Sequence, residues 1–296
     1  MPVLALGSVQ FGLDYGVANE TGKTSASEVK GIMSLAHEFG IKVIDTAAMY
    51  GESETVIGEQ SPPDSSFRYV TKTVALHGQK ITPENLEVVR VGFDRSLQRL
   101  RQHSVYGLLI HHCRDLLAPG GRRLFDLIHG LKEDGKVEKI GVSAYDEEEL
   151  QRILGKFPID IVQIPINAFD QRLIQSGTTN RLKYLGVEIH ARSIFLQGLM
   201  LMEAGALPPF FLPVDRHIEK YQDWLRSMDM TPLEGAVRFV QQQTDIDQVV
   251  VGVCDALQLE AVRSAFSKTE NMTVIDYSRF AIDDETYVNP SNWPKS

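Results

Sequence analysis

The sequence predicts one (β/α)8 TIM barrel, a single α/β domain over residues 1–296 with a C-terminal tail over residues 283–296. Apolar runs begin near residues 3, 42, 68, 105, 139, 160, 187 and 249, and each is followed by residues at helical spacing. The runs are apolar throughout instead of alternating, which is the pattern of parallel strands covered by helices on their outer face. Eight such units fit a closed barrel, which takes about 250 residues. The rival, an open doubly wound sheet, lacks its fingerprint: GSVQFGLDYG follows the first run where G-x-G-x-x-G would be needed. No composition break marks a domain boundary.

Taken in order, Val3 to Leu6 form the first strand, which ends in Gly7-Ser8-Val9-Gln10-Phe11-Gly12. Ser25 with Glu28 reads as a capping box for a helix whose apolar face is Val29, Ile32, Met33, Leu35 and Ala36. Lys42–Asp45 is the second strand, and a short helix starts at Ser53. The third strand, FRYVTKT, ends at Lys72; Thr82 then caps a helix with Pro83 at its first position. Val105–Ile110 is the fourth strand and runs into His111-His112, with a helix over Arg122–Asp134 behind it. Lys139–Val142 leads to Ser143, Asp146 opens a helix, and Ile159–Pro165 carries Gln163. Ile174–Leu185 reads as one helix, and Val187–Ala191 leads to Arg192-Ser193. Ala204–Pro213 reads as a surface loop, followed by helices over Ile218–Met228 and Pro232–Gln243. Val249–Val253 is the last strand and Ala256–Phe266 the last helix.

Bulk properties narrow the function. A net charge of −9 leaves no basic surplus for neutralising phosphates, which argues against nucleic acid. Cys113 and Cys254 stand alone in no metal or disulfide spacing, which points to a reducing cytosol. MPVLALGSVQFG has no basic n-region and no window approaches a membrane span, so a cytoplasmic location is expected.

Polar groups stand where predicted strands stop: Asp45, Lys72 and His111, with Tyr50 on the loop that leaves Asp45. In a closed barrel those ends converge on one mouth. A lysine ending an interior strand needs a counter-charge, and Asp45 is the candidate. Lys72 would also stabilise a phenolate and pull Tyr50 down from about 10. Tyr50 could then protonate a carbonyl oxygen, with His111 orienting the substrate. Each residue has a plainer reading: Asp45 as a turn cap, Tyr50 as a packed aromatic, Lys72 reaching solvent, and both histidines bonded to backbone. Four of them at adjacent strand ends favour chemistry.

IDTAAMYGESETVIG, with TK at the next strand end and LLIHH after it, resembles the aldo-keto reductase family. LGSVQFG, GKVEKIGVS, IDIVQIPIN, RSIFLQGLM and VVVGV extend the resemblance over residues 3–267. It implies a reversible carbonyl–alcohol interconversion by hydride transfer from NADPH or NADH, with no metal. The catalytic tetrad falls on Asp45, Tyr50, Lys72 and His111, with Tyr50 as acid and base. Cofactor contacts fall on Ser8, Asp45, Ser143, Gln163, Arg192, Ser193, Gly198, Gly252, Val253 and Gln258. Val9, Phe11 and His112 would face the substrate.

The sequence departs from the family pattern in three places. Ala144 stands where an asparagine usually follows the fifth-strand serine, which removes one amide contact to nicotinamide. Arg192 replaces the aromatic that stacks on the nicotinamide; its plane can stack, or it can reach an acidic neighbour or an anionic substrate. The 2′-phosphate and adenine grip reads Val253, Cys254, Gln258, Ala261 and Val262, without the bidentate arginine. Either NADH is used, or binding is weak, or another side chain substitutes.

The sequence therefore predicts an oxidoreductase acting on a small-molecule aldehyde or ketone. The alternative is a cofactor-binding regulatory or interaction protein, as in relatives resembling potassium-channel β subunits. LGSVQFGLDYGVAN resembles bacterial members linked to sugar and surface-polysaccharide metabolism, which extends the candidate substrates to sugar derivatives. Cys113–Gly121 and Ala204–Pro213 are the loops expected to shape the pocket.

Overall fold

The computed structural model describes residues 1–76, 80–269 and 273–294. Its strands are β1 (Val3–Gly7), β2 (Val43–Asp45), β3 (Arg68–Lys72), β4 (Val105–Ile110), β5 (Val137–Ser143), β6 (Ile161–Pro165), β7 (Glu188–Arg192) and β8 (Gln248–Gly252). They pair in chain order, all parallel, and β8 pairs with β1 to close the cylinder. Register is continuous across the pairs that matter for the mouth: Gly7 lies beside Asp45, Ser143 beside Gln163, and Pro165 beside Arg192. Among the described residues no helix is long and apolar enough to cross a membrane.

Side chains alternate along a strand, so every second residue points into the cylinder. Ala5, Val43, Val70, Tyr106, Leu109, Ile161 and Val250 form one buried cluster separate from the larger outer core. Two positions on from most of these lie Gly7, Asp45, Lys72, His111, Gln163 and Gly252. The pleat that packs the barrel interior thus carries the polar set at its C-terminal mouth. Outside, the helices cover the sheet with Ile32, Phe93, Phe125, Ile153, Leu182 and Phe239, all buried.

Helix starts follow their local chemistry. Thr82 and Thr231 each head a capping box with a proline in the first turn. Ser25 also caps its helix, accepting from the Glu28 N–H at 3.2 Å, but the Glu28 carboxylate does not close the box. It reaches across to accept the Ala256 N–H at 2.8 Å, because the first turns of these helices meet where the barrel closes.

Three further expectations change. The helix expected over Ile174–Leu185 is two, Arg172–Gln175 and Thr178–Tyr184, broken at Gly177, whose φ of 75° no helix accommodates. The loop expected over Ala204–Pro213 ends early: a helix runs over Leu212–Arg226, and Pro213 sits in its first turn, where a missing N–H costs nothing. Residues 283–294 carry a helical turn, Glu285–Val288, that returns to the barrel. Val288 is fully buried, Trp293 stacks edge-on to Phe211 at 4.8 Å, and Glu285 pairs with Arg172 at 2.6 Å.

The N-terminal end of the barrel is closed by a charged network on Glu188. Tyr106 donates to it at 2.5 Å, His190 lies at 2.7 Å, and Lys139 pairs with it. Burial alone would raise the carboxyl pKa, but His190, Lys139 and Tyr106 outweigh it and hold it at about 2 against an ordinary 4.5. A depressed carboxylate stabilises the fold fully above its unfolded pKa, and that share is lost as pH falls toward the folded one. Glu188→Gln should therefore flatten the loss of unfolding midpoint between pH 4.5 and 2 seen in acid titration of the wild type. At neutral pH it should cost about 1–3 kcal/mol in denaturant melts, through partners left unsatisfied.

Candidate active site

At the mouth, Lys72 is 1% exposed and Asp45 4% exposed. The ammonium donates to Asp45 Oδ2 at 2.7 Å, to Asp45 Oδ1 at 2.9 Å, and to the Thr46 carbonyl at 3.0 Å. Asp45 Oδ1 also accepts from Gln163 Nε2 at 2.6 Å. The Asp45 backbone is held in turn, since Ser8 Oγ donates to its carbonyl at 2.8 Å and Ser53 Oγ donates to Ser8 Oγ at 2.8 Å. One network thus joins the ends of β1, β2, β3 and β6.

The turn after β2 delivers Tyr50. The Thr46 N–H donates to Val70 O at 2.8 Å and the Ala48 N–H to Lys72 O at 3.2 Å, so the loop is stitched along β3 before it leaves. Tyr50 then meets His111 ring edge to face, with centroids 5.8 Å apart, and the Lys72 ammonium lies 5.0 Å from the centre of the Tyr50 ring.

That geometry corrects the expectation that Lys72 lowers the Tyr50 pKa. An ammonium has three hydrogens, and all of them go to Asp45 and Thr46, so none serves the phenol oxygen. Burial is the largest influence on Tyr50 and raises its pKa well above 10; the nearby Asp45 carboxylate adds to this and the Arg192 guanidinium opposes it. Lys72 shifts the other way: burial lowers its pKa, against the pull of Asp45. Tyr50 is a firmly neutral phenol.

These groups open on a cavity of about 880 Å³ that runs from Tyr50 and His111 across the mouth to Gly252, Gln258 and Val262. Ser8, Val9, Asp45, His112, Ser143, Gln163, Arg192, Ser193, Gly198 and Val253 also line it. Phe11 does not. The chain after β1 winds into a helical turn, Val9–Gly12, which rotates the Phe11 ring into the core, where it is fully buried. Nor do residues 113–121 or 204–213 line the cavity. Its outer wall is instead the segment after β1, including Tyr15, Ala18 and Asn19, together with Phe195, Gln197, Leu201 and Ser291.

Sequence reasoning missed Gln10, Tyr15 and Tyr145, all on the cavity wall. Tyr145 stands two residues past Ser143, the β5 position already singled out, and the pleat period that places Ser143 inward could have found it. Tyr15 carries no such signal, because it lies on irregular chain.

A sequence model described as "Aldo/keto reductase family" matches residues 3–279. The chain belongs to the aldo/keto reductase family. It is 29% identical over 187 residues to a glyoxal reductase of Bacillus subtilis (strain 168), an alignment covering 62% of either chain. It is 34% identical over 141 residues to an aldo-keto reductase of Mycolicibacterium smegmatis, 45% of this chain and 46% of that one. The chain thus spans less than two thirds of the length of these relatives. The glycerol dehydrogenase of Gluconobacter oxydans has a similar fold, with a TM-score of 0.70 at 19% identity over 99% of this chain and 93% of that one. So does a Bacillus halodurans aldo-keto reductase solved in holo form, with a TM-score of 0.71 at 16% identity over 94% and 89% of the two chains.

The aldo/keto reductase fold implies a nicotinamide cofactor, and the residues present fit one. Gln163 Oε1 is buried at the cavity floor without a partner, an acceptor suited to an amide N–H. The segment after β7 holds Ser193, Leu196, Gln197 and Gly198 at positive φ, a winding that costs about 1–3 kcal/mol per non-glycine residue and gathers at ligand sites. Two assigned glycines have a second role. A Cβ on Gly198 would lie 2.6 Å from Ala18 Cβ, and one on Gly252 would lie 2.4 Å from Gln10 Oε1. Both let the segment after β1 close against the far wall.

Lys72→Met would leave Asp45 buried as an uncompensated charge and should cost about 3–5 kcal/mol in chemical denaturation. The double variant Lys72→Met/Asp45→Leu should recover most of that loss. Equal stability of Lys72→Met and wild type would mean that the pair is not formed as described.

Proposed function

We propose that the protein is a carbonyl reductase, transferring hydride from a nicotinamide cofactor to an aldehyde or ketone with Tyr50 as general acid. The observation that carries this reading is a neutral phenol beside an imidazole in a cavity of cofactor size, backed by a buried ion pair. Bound in the cavity, the reduced nicotinamide supplies the hydride. Gln163 and Ser143 would hold its amide, and Ser193 and Gly198 lie on the segment that would hold its pyrophosphate. As negative charge grows on the carbonyl oxygen, Tyr50 O–H donates its proton to it, and His111 holds the oxygen in reach of that donor. A phenol whose pKa is raised by burial still serves here, because a developing alkoxide is more basic than a phenolate. The Lys72–Asp45 pair keeps the floor electroneutral and fixes the turn that carries Tyr50.

The cofactor is NADH in preference to NADPH. Val253, Gln258, Ala261 and Val262 form the far end of the cavity and offer no cation to a 2′-phosphate. The helix that starts there already has its amides engaged: the Ala256 N–H donates to Glu28 Oε1 at 2.8 Å and the Gln258 N–H to Asp255 Oδ1 at 2.7 Å. Added phosphate would meet carboxylates instead of arginine. The likeness to a glyoxal reductase supports a small carbonyl substrate, and the polar wall of tyrosines and amides is compatible with a sugar-derived one.

Tyr50→Phe should lower kcat by about 10²–10⁴-fold with NADH affinity retained in fluorescence titration. A variant that turns over like wild type sinks the assignment, and tight cofactor binding by the wild type with no aldehyde consumed would favour a binding module. NADH should bind at least roughly tenfold tighter than NADPH, a gap of about 1.4 kcal/mol. Gln258→Arg should narrow that gap from the NADPH side.

A further inference from the structure

Among the described residues, Arg192 is a cation on this cavity wall that no carboxylate balances. It ends β7, lines the cavity wall, and lays its guanidinium over the Tyr145 ring at 4.0 Å. Nη1 donates to Ser193 Oγ at 3.3 Å and the Tyr145 side chain also interacts with the guanidinium, whereas Nη2 is buried with no hydrogen-bond partner. Among the described residues no carboxylate lies within ion-pair distance of it. The cavity has two carboxylates of its own. Asp45 is committed to Lys72 and Gln163, and Glu20 is exposed on the segment after β1. A guanidinium remains charged at any working pH and has five N–H donors in a fixed fork. Leaving one of them buried and empty beside uncompensated charge is costly unless a ligand completes it.

The charge lies at the reacting end of the cavity. It is close enough to the Tyr50 phenol to oppose the effect of burial there, and it acts on Tyr15 in the same way. Contact with the Tyr145 ring holds the guanidinium at the cavity wall, and its fork suits two-pronged binding of a planar or tetrahedral oxyanion.

We propose that Arg192 is a specificity residue that binds an oxyanion, a carboxylate or phosphate, carried by the substrate itself. The preferred substrates are then anionic carbonyl compounds, with the carbonyl oxygen at Tyr50 and the charged end on Nη2 of Arg192. This rests on the reductase reading above and adds the charge of the substrate to it. A neutral aldehyde would leave Nη2 empty. An anionic one gains charge-assisted hydrogen bonds.

Matched aldehydes test this in steady-state assays with NADH: succinic semialdehyde against butanal, and glyceraldehyde 3-phosphate against glyceraldehyde. In wild type, kcat/KM for the charged member of at least one pair should exceed that of its neutral partner by roughly 10–100-fold. Arg192→Met should bring that ratio near unity, and any common effect on the cofactor cancels in the ratio. Whichever pair responds tells carboxylate from phosphate. Equal rates for both members in wild type, or a ratio unmoved by Arg192→Met, overturn the proposal. If the variant instead weakens NADH binding while the ratio holds, the guanidinium serves the cofactor and the proposal falls. Calorimetry with succinate and inorganic phosphate on cofactor-free protein supplies a readout free of turnover. Binding that disappears in Arg192→Met supports the site even if no aldehyde is reduced, an outcome that would sink the reductase reading alone. Absence of binding by both anions overturns it.

Discussion

An ammonium buried inside a closed barrel constrains everything around it. Lys72 has to spend all three hydrogens locally, and the acceptors within reach are two oxygens of Asp45 and the carbonyl of Thr46. Satisfying them fixes the end of β2, the first residue of the turn that follows, and the side chain at the end of β3. Asp45 must then fill its remaining acceptor sites, which draws in Gln163 from the opposite side of the mouth. Desolvating two ions is expensive, and their mutual attraction offsets it only when geometry and hydrogen bonds are complete. The pair is therefore best understood as a device for rigidity. It holds a loop that would otherwise be free to move, and Tyr50 is on that loop.

A consequence is that the lysine acts on the tyrosine through structure more than through charge. The ammonium lies over the ring at 5.0 Å and directs its hydrogens elsewhere, so its field is largely cancelled by the carboxylate it touches. Burial then dominates, and the phenol stays protonated. For the reduction proposed above this is the useful state, because a general acid must hold its proton until the oxygen becomes basic. A second cation bears on that balance: Arg192 opposes the effect of burial on Tyr50 and has no carboxylate partner among the described residues.

Much of this was legible in the chain because polar residues stand where apolar runs stop, and the pleat confirms which of them face inward. Strand residues alternate, so Val43 inward means Asp45 inward, and Val70 inward means Lys72 inward; the same count places Gln163 and Ser143. Apolar runs thus located the barrel and its polar rim together. What was not legible obeys no period. Phe11 reads as a substrate contact in linear order, yet a single helical turn at Val9–Gly12 rotates it into the core. Tyr15 enters the cavity from irregular chain. Glu28 looks like half of a capping box, but its carboxylate is taken by Ala256, more than two hundred residues away, through a contact that exists only once the barrel has closed. The break at Gly177 is not marked in the pattern, because an isolated glycine inside a helical run can be tolerated.

The segment after β1 is attached differently from the strand ends beneath it. It donates from the Ala18 N–H to Gln197 O at 3.4 Å and from Thr24 Oγ1 to Cys254 O at 3.3 Å, and Lys23 pairs with Glu52 at 2.7 Å in an exposed position. One stretch therefore touches the loop after β7, the end of β8 and the helix after Tyr50. These attachments are long or solvent-screened, worth about 0–1 kcal/mol for the ion pair. The Lys72 network beneath them is short and buried. A ligand that must enter under this segment displaces weak contacts and leaves the strong ones in place, so access and catalytic geometry are separated in energy as well as in space.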